Sequence, residues 1–204
     1  MDPTQINGRT SDFPIDPMFL ERWSPRAFAG EPISEPELLT ILEAARWAPS
    51  SYNSQPWRFI FARRDTPDWE RQLNLLSPFN RAWAKDASAL VILISHRFMR
   101  KPGEDADVPS PTHSFDAGAA SGYLALQAIK NGWFVHAMGG FDKVRAVADL
   151  AIPKEYQVEA AYAIGKRGDP SKLPEALRVR EHPSPRLALK DIAFEGTFGR
   201  RLDL

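Results

Sequence analysis

The run Ala89-Leu90-Val91-Ile92-Leu93-Ile94 constrains the fold of this chain more than any other stretch. It has the length of a strand rather than a helix, and a strand that is apolar at every position is buried on both faces. It therefore reads as the central strand of a sheet, and a sheet with two apolar faces needs other elements packed over each of them. The chain has 204 residues, 43% of them apolar and 25% charged, which suits one globular domain with a sizeable core and excludes a disordered one. Formal net charge is zero, so no strong field is available to hold nucleic acid or an anionic membrane. The absence of cysteine removes disulfides, thiolate metal sites and a thiol nucleophile, and fits a reducing compartment. No apolar run has the length of a membrane span, and Met1-Asp2-Pro3-Thr4-Gln5 lacks the basic region and apolar run of a secretion signal. The expected location is cytoplasmic.

Around the apolar run the chain is punctuated clearly. Residues 1–17 are polar and broken by Pro3, Pro14 and Pro17, and read as an arm. Residues 19–23 read as a short helix stopped by Ser24-Pro25. Ser34 and Glu37 have capping-box spacing, Pro36 sits in the first turn, and Leu38, Ile41, Leu42 and Ala45 form an apolar stripe, so a helix runs from Ser34 until Pro49 ends it. A strand over 57–61 and a helix over 69–76 follow. Residues 101–111, charged and rich in proline, read as an exposed loop. A long helix over 114–131 carries small residues at 117–122 that let another helix approach, and Gly132 is its natural stop. A short strand at 133–135, a helix capped by Asp142 and ending near Leu150, a strand over 158–164 and a loop over 165–185 complete the pattern. The weakly periodic last segment, 186–204, suits a reach across to a partner subunit. No internal repeat or convincing boundary appears, which gives an arm at 1–18 and a single domain at 19–204.

Four constellations carry chemistry, and each has a plain structural alternative. Arg22-Trp23-Ser24-Pro25-Arg26-Ala27-Phe28 places two guanidinium forks, suited to phosphate or polarised carbonyls, beside a helix end; ordinary surface arginines are the alternative. Ala48-Pro49-Ser50-Ser51-Tyr52-Asn53-Ser54-Gln55-Pro56-Trp57-Arg58-Phe59 is far denser in hydrogen-bonding side chains than a connector needs; a well-bonded turn with Trp57 in the core is the alternative. His136-Ala137-Met138-Gly139-Gly140-Phe141-Asp142 sets a glycine pair between a strand and a helix, where backbone N–H groups approach a ligand closely or simply make a tight turn. The fourth is Lys166-Arg167 with the later Ser184-Pro185-Arg186, and a lone late arginine is usually a surface residue. His96, His113, His136 and His182 lack partners at metal-ligand spacing, and no G-x-S-x-G elbow is present, so neither a metal site nor a hydrolase is indicated. Capping accounts for Asp116 and Asp142.

Taken in order, these constellations resemble the nitroreductase family of FMN-dependent NAD(P)H oxidoreductases. Arg22-x-Ser24-x-Arg26-x-Phe28 is similar to the family's R-x-S-x-R-x-F motif, and Ala48-Pro49-Ser50-Ser51-x-Asn53-x-Gln55-Pro56-Trp57-Arg58-Phe59 to its A-P-S-x-x-N-x-Q-P-W-x-F motif. Asp116 through Ala128 resembles its long central helix, and Met138-Gly139-Gly140-Phe141 its glycine turn. The match spans about residues 19–200. The resemblance implies an α+β fold, a central, mostly antiparallel sheet flanked by helices, in an intertwined homodimer with FMN at the interface. It implies that Arg22, Trp23, Ser24 and Arg26 hold the cofactor, with Arg26 near the ring. It further implies that Asn80 meets the ring's polar edge, that Met138, Gly139 and Gly140 lie against the ring, and that Arg186 closes on the phosphate. Pro49, Ser50, Ser51, Asn53 and Gln55 then reach the flavin held mainly by the other subunit.

In that scheme NAD(P)H is the reductant, flavin N5 carries the chemistry with no protein nucleophile, and a small molecule such as a nitroaromatic, quinone or activated alkene accepts the electrons. Ser184 stands where a lysine is common, which implies that phosphate binding leans harder on Arg22 and Arg186, whereas Tyr123, where many relatives carry asparagine, and the 101–111 loop with His113, which no motif anchors, bear on the substrate. A flavin-storage protein without turnover, or a flavin-fragmenting or dehalogenating relative, are the alternatives.

Overall fold

The apolar run lies in the interior of a four-stranded sheet with helices over both faces, and every residue from Ala89 to Ser95 is buried. The structure, a computed structural model, describes residues 5–202; residues 1–4, which belong to the expected arm, and 203–204 lie outside them. In chain order the elements are β1 (Gln5–Ile6), β2 (Arg9–Thr10), α1 (Met18–Glu21), α2 (Glu35–Arg46), β3 (Trp57–Arg63), α3 (Trp69–Leu73), α4 (Pro78–Ala84) and β4 (Ala89–His96). There follow β5 (Phe98–Met99), β6 (Val108–Pro109), α5 (His113–Lys130), β7 (Phe134–Met138), α6 (Lys143–Asp149), β8 (Tyr156–Gly165) and α7 (Glu175–Arg178). No described helix is long and apolar enough to cross a membrane.

The sheet has the order β3-β4-β8-β7, and each neighbouring pair is antiparallel. Side chains on a strand alternate between faces, and β4 divides its apolar residues accordingly. Leu90, Ile92 and Ile94 pack with Trp69, Leu73, Trp83 and Ala84 of α3 and α4 on one face. Val91 and Leu93 pack with Leu38, Ile41 and Ala45 of α2 and with Ala117, Ala120, Leu124 and Ala128 of α5 on the other. Burial of each such branched side chain stabilises the fold by about 1.5–3 kcal/mol before ordering costs. Trp57 belongs to the second cluster, in the core as its structural reading had it.

The helices that cover the second face begin and end where local chemistry directs. Ser34 Oγ accepts from the Glu37 N–H at 3.3 Å, and the Glu37 carboxylate accepts from the Ser34 N–H at 3.1 Å, so the capping box is closed in both directions. At the end of α5, Trp133 N–H donates to Ala128 O at 2.8 Å and Gly132 N–H to Ile129 O at 2.9 Å, with Gly132 at φ 72°. This is the paired-bond C-terminal cap that a left-handed residue makes possible.

Several elements differ from the sequence expectation. The arm contains a hairpin, β1 with β2. The expected loop at 101–111 is pinned at its base by the β5–β6 pairing. Helix α4 was not anticipated, α3 stops at Leu73, and the 165–185 stretch contains α7. The strand expected to end at Val135 continues through Met138, because His136, Ala137 and Met138 stay in the ladder opposite Ala163, Tyr162 and Ala161 of β8. That extension is a tertiary effect, since an isolated H-A-M sequence has no strand signal of its own.

Candidate cofactor site

Helix α1 ends at Glu21 because Arg22 turns extended, at φ −65° and ψ 122°, and Pro25 bars helical geometry just beyond. Arg22, Ser24 and Arg26 line a cavity of about 350 Å³. Arg9, Arg180, Arg186, His136 and His182 also wall it, and no acidic residue among those described does. The guanidinium groups therefore repel one another in a partly desolvated space. Burial, Arg186 and Arg22 hold Arg9 below its ordinary pKa. Burial and Arg186 do the same to Arg22. Arg26 is lowered by burial and Arg180, with Glu181 opposing. Arg26 Nε is buried without a hydrogen-bond partner among the described residues. Such an atom costs about 1–3 kcal/mol until something accepts from it.

The acid near this cavity is committed to backbone. Glu181 accepts from the Arg26 N–H at 2.8 and 3.0 Å and from the Ala27 N–H at 2.8 Å, which orients the extended segment. His136 Nδ1 lies 2.9 Å from Pro25 O. A carbonyl only accepts, so Nδ1 carries the hydrogen and Nε2 is left with its lone pair in the neutral ring. Burial pushes the pKa of His136 below the ordinary histidine value. The Trp23 side chain is 5% exposed; its ring stands edge-on to Phe134 at 6.5 Å, under the Arg167 guanidinium at 5.2 Å.

A second cavity, about 430 Å³, shares Arg22 and Ser24 with the first. Its walls are mostly apolar, with Gly118, Gly122 and Ala125 of α5 and Ala137 of β7 small, and Phe19, Leu126 and Tyr162 large. A Cβ added at Gly118 or Gly122 would meet nothing within 4 Å, so these glycines leave one side of α5 open. Tyr162 Oη donates to Ser121 Oγ at 2.8 Å, and burial raises the phenol pKa, which keeps it protonated. β7 ends at Met138, and Gly139 and Gly140 follow it, lining a separate cavity with Ser77, Pro78 and Phe141. Both glycines are exposed. The Met138 side chain is 4% exposed and packs in the core. Asn80 Nδ2 donates to Gly140 O at 2.9 Å, and a Cβ on Gly140 would come within 2.8 Å of that nitrogen, so the contact requires glycine there.

The loop before β3 stands apart from the arginine cavity. Pro49, Asn53 and Gln55 are exposed, and Ser50 and Ser51 half-buried. Its shape is held from within: Ser50 Oγ accepts from the Gln55 N–H at 3.0 Å, and Gln55 Nε2 donates to Asn53 O at 3.1 Å. Tyr52, Asn53 and Gln55 adopt left-handed backbone at φ 51°, 53° and 47°. Non-glycine residues there cost on the order of 1–3 kcal/mol each and persist only where the surroundings over-determine them. Asp116 supplies the outside hold. Its buried carboxylate accepts from the Ser51 N–H at 3.2 Å and from Thr112 Oγ1 at 3.0 Å. The expectation that Asp116 caps α5 is thus corrected: Thr112 is the N-cap residue, without a capping side chain, and Asp116, a turn inside, reaches across to the loop. Asp142 does cap α6, accepting from the Arg145 N–H at 2.9 Å.

The structure therefore brings Arg22, Trp23, Ser24, Arg26 and Arg186 together, and sets Asn80, Gly139 and Gly140 at the far end of β7. Pro49, Ser50, Ser51, Asn53 and Gln55 form a separate, preformed wall. Sequence reasoning missed Arg9, Arg180, Glu181 and His182, and did not assign His136 to the site; only His136, inside the glycine constellation, lay near a recognised signal. Among the described residues no group of three or more histidines, aspartates and glutamates could hold a metal. A cationic cavity that shares Arg22 and Ser24 with a mostly apolar slot suits a ligand with a compact anionic end and an apolar, planar body.

Comparison with known proteins gives the same direction. A family model described as the nitroreductase family matches residues 20–73. A Streptomyces coelicolor protein provisionally named NADH dehydrogenase/NAD(P)H nitroreductase is 30% identical over 141 residues, covering 61% of this chain and 69% of its own. A crystal structure described as an oxidoreductase containing FMN is 50% identical, with a TM-score of 0.92 over 97% of this chain and 100% of that one. A provisionally named nitroreductase from Exiguobacterium sibiricum, solved in complex with FMN, is 25% identical with a TM-score of 0.70, over 90% and 99% of the two chains. The chain belongs to the nitroreductase family.

Proposed function

We propose that this chain is an NAD(P)H-dependent FMN oxidoreductase that works as a homodimer. The observation that carries the reading is the arginine cavity: five guanidinium groups, those of Arg9, Arg22, Arg26, Arg180 and Arg186, meet without an acidic neighbour in the lining. The residues present fit FMN. Its phosphate answers the mutual repulsion of the guanidinium groups, and the unpartnered Arg26 Nε offers a donor to the ligand. The slot is mostly apolar, and Gly118, Gly122 and Ala137 leave room along one side of it for a planar ring. When bound, FMN supplies two-electron chemistry, taking a hydride from NAD(P)H and passing its electrons to a nitroaromatic, quinone or activated alkene.

The protein's part is placement and electrostatics. Arg22 and Arg186 neutralise the phosphate, with bonds that gain strength because the cavity is partly desolvated. Arg26 places a fixed positive charge beside the slot, which favours a ligand that gains negative charge during reaction. Asn80, held against Gly140, and the exposed backbone of Gly139 and Gly140 supply polar contacts at the far end of the groove. The Ser50–Gln55 wall, exposed and prebuilt, completes the site of the partner subunit and shuts out water. The open, glycine-bearing side of α5 and the exposed Phe115 and Tyr123 on it are the surface that the partner covers.

The absorbance spectrum of the purified protein tests this reading. Flavin bands that bleach on anaerobic addition of NADH or NADPH are expected. A colourless protein that acquires no flavin absorbance after mixing with FMN and desalting overturns it.

A further inference from the structure

We infer that Arg9 is the positioning residue of the anion site: its guanidinium sets the spacing between Arg22 and Arg186 by tying the N-terminal hairpin to both. The inference rests on reading the arginine cavity as the phosphate site of the cofactor.

Arg9 is 8% exposed, and its Nε and Nη1 donate to backbone carbonyls. Nη1 donates to Leu20 O at 3.0 Å and to Arg22 O at 2.7 Å, and Nε donates to Ser184 O at 3.0 Å. These carbonyls belong to segments remote in sequence. Leu20 lies in α1 and Arg22 is its C-cap residue, and the last carbonyls of a helix have no partner inside it. A guanidinium is a suitable partner for them. Ser184 precedes Arg186 by two residues. One planar group therefore fixes where the backbone of both phosphate-binding arginines begins.

The electrostatics explain why such a hold is needed. Arg186 lowers the pKa of both Arg9 and Arg22, and Arg22 lowers that of Arg9, so the three cations push apart. Three carbonyl dipoles pointed at Arg9 offset part of this repulsion. They also make the cavity's geometry independent of a bound anion, so that a phosphate meets guanidinium groups already spaced, and the ordering cost at binding is small. The role depends on shape as well as charge. The guanidinium presents Nε and Nη1 in a rigid plane, whereas a lysine ammonium is a point charge on a flexible stem and cannot hold the same carbonyls in the same directions.

The decisive variant is Arg9→Lys, which keeps the charge and loses the fork; Arg9→Gln removes both. FMN affinity is measured by equilibrium titration of the ligand-free protein, with far-UV circular dichroism at the same temperature to verify folding. Both variants are expected to weaken FMN binding by about ten- to a hundredfold with the spectrum unchanged. Arg9→Lys binding FMN as tightly as the unaltered protein overturns the inference, since charge alone would then suffice. A measurement on the unaltered, ligand-free protein guards against misfolded variants: the Arg9 Nε–H, bonded to Ser184 O, is expected to exchange slowly with solvent by NMR, and fast exchange of every arginine Nε–H overturns the inference. If the unaltered protein itself fails to bind FMN, the cofactor reading falls, while the exchange measurement still decides the clamp.

Discussion

The arginine cavity and the Ser50–Gln55 loop are both dense in polar side chains, yet the first is self-opposed and the second bonds largely to itself, with only the Ser54 hydroxyl of the loop's side chains buried without a partner among the described residues. In the cavity, like charges crowd together, guanidinium pKa values are depressed, and a buried donor on Arg26 has nothing to donate to. In the loop, hydrogen bonds accepted by Ser50 and Asp116 and one donated by Gln55 hold three residues in left-handed backbone. A region whose own groups oppose one another gains by binding a counter-charge. A region that bonds largely to itself contributes rigidity and shape. Polar density alone does not separate the two; the state of each group's partners does.

The comparison breaks most readily at Arg22. Arg22→Ala is expected to weaken FMN binding by about thirty- to a hundredfold, the worth of one or two charge-assisted bonds. The ligand-free protein should keep or raise its melting temperature, because a cation that repels Arg186 has been removed; a clear loss of stability without ligand would mean that the cavity is not self-opposed. Asp116→Ala should behave in the opposite way. It leaves the Ser51 N–H and Thr112 hydroxyl without their acceptor and should cost about 1–3 kcal/mol in denaturant unfolding, with a smaller fall in FMN affinity. An unchanged unfolding midpoint would show that the loop holds itself.

Ionic strength sharpens the contrast. Raising salt well above about 0.1 M, where the screening length is near 10 Å, should loosen FMN several-fold in titrations while leaving the unfolding cost of Asp116→Ala unaltered. The smallest effect concerns pH. Burial holds His136 below its ordinary pKa, so on acidification the unfolded chain takes up a proton before the folded one does. Stability of the ligand-free protein is therefore expected to be full above about pH 6.5 and to fall as pH drops through the range below it. His136→Gln should flatten that part of the thermal-melting profile; a profile as steep as the native one would remove His136 from this role.

Much of the fold was legible because its signals are local. The Ser34–Glu37 box, the stripe Leu38-Ile41-Ala45, the Gly132 stop and the doubly buried β4 each depend on residues within a few positions of one another. The strand β7 ran past its expected end because its hydrogen bonds go to β8, some 25 positions away in the chain, and nothing in His136-Ala137-Met138 announces that. The site divides the same way. Arg22, Ser24 and Arg26 stand out as a motif, whereas Arg9 looks like one more polar residue of an arm. Its place is decided by carbonyls at positions 20, 22 and 184.

The sequence by itself determined the α+β character of the chain, the limits of its main helices and the residue types that meet an anionic, planar ligand, since capping, periodicity and side-chain chemistry act over one or two turns. Only the tertiary structure decided that Arg180 and Arg9 join Arg22 and Arg186 around one cavity, that Glu181 bonds to the backbone of Arg26 and not to its guanidinium, and that Asp116 ties the loop to the start of its own helix. Those assignments depend on which distant groups are brought within hydrogen-bond reach, and that distance is set by the packing of the whole core.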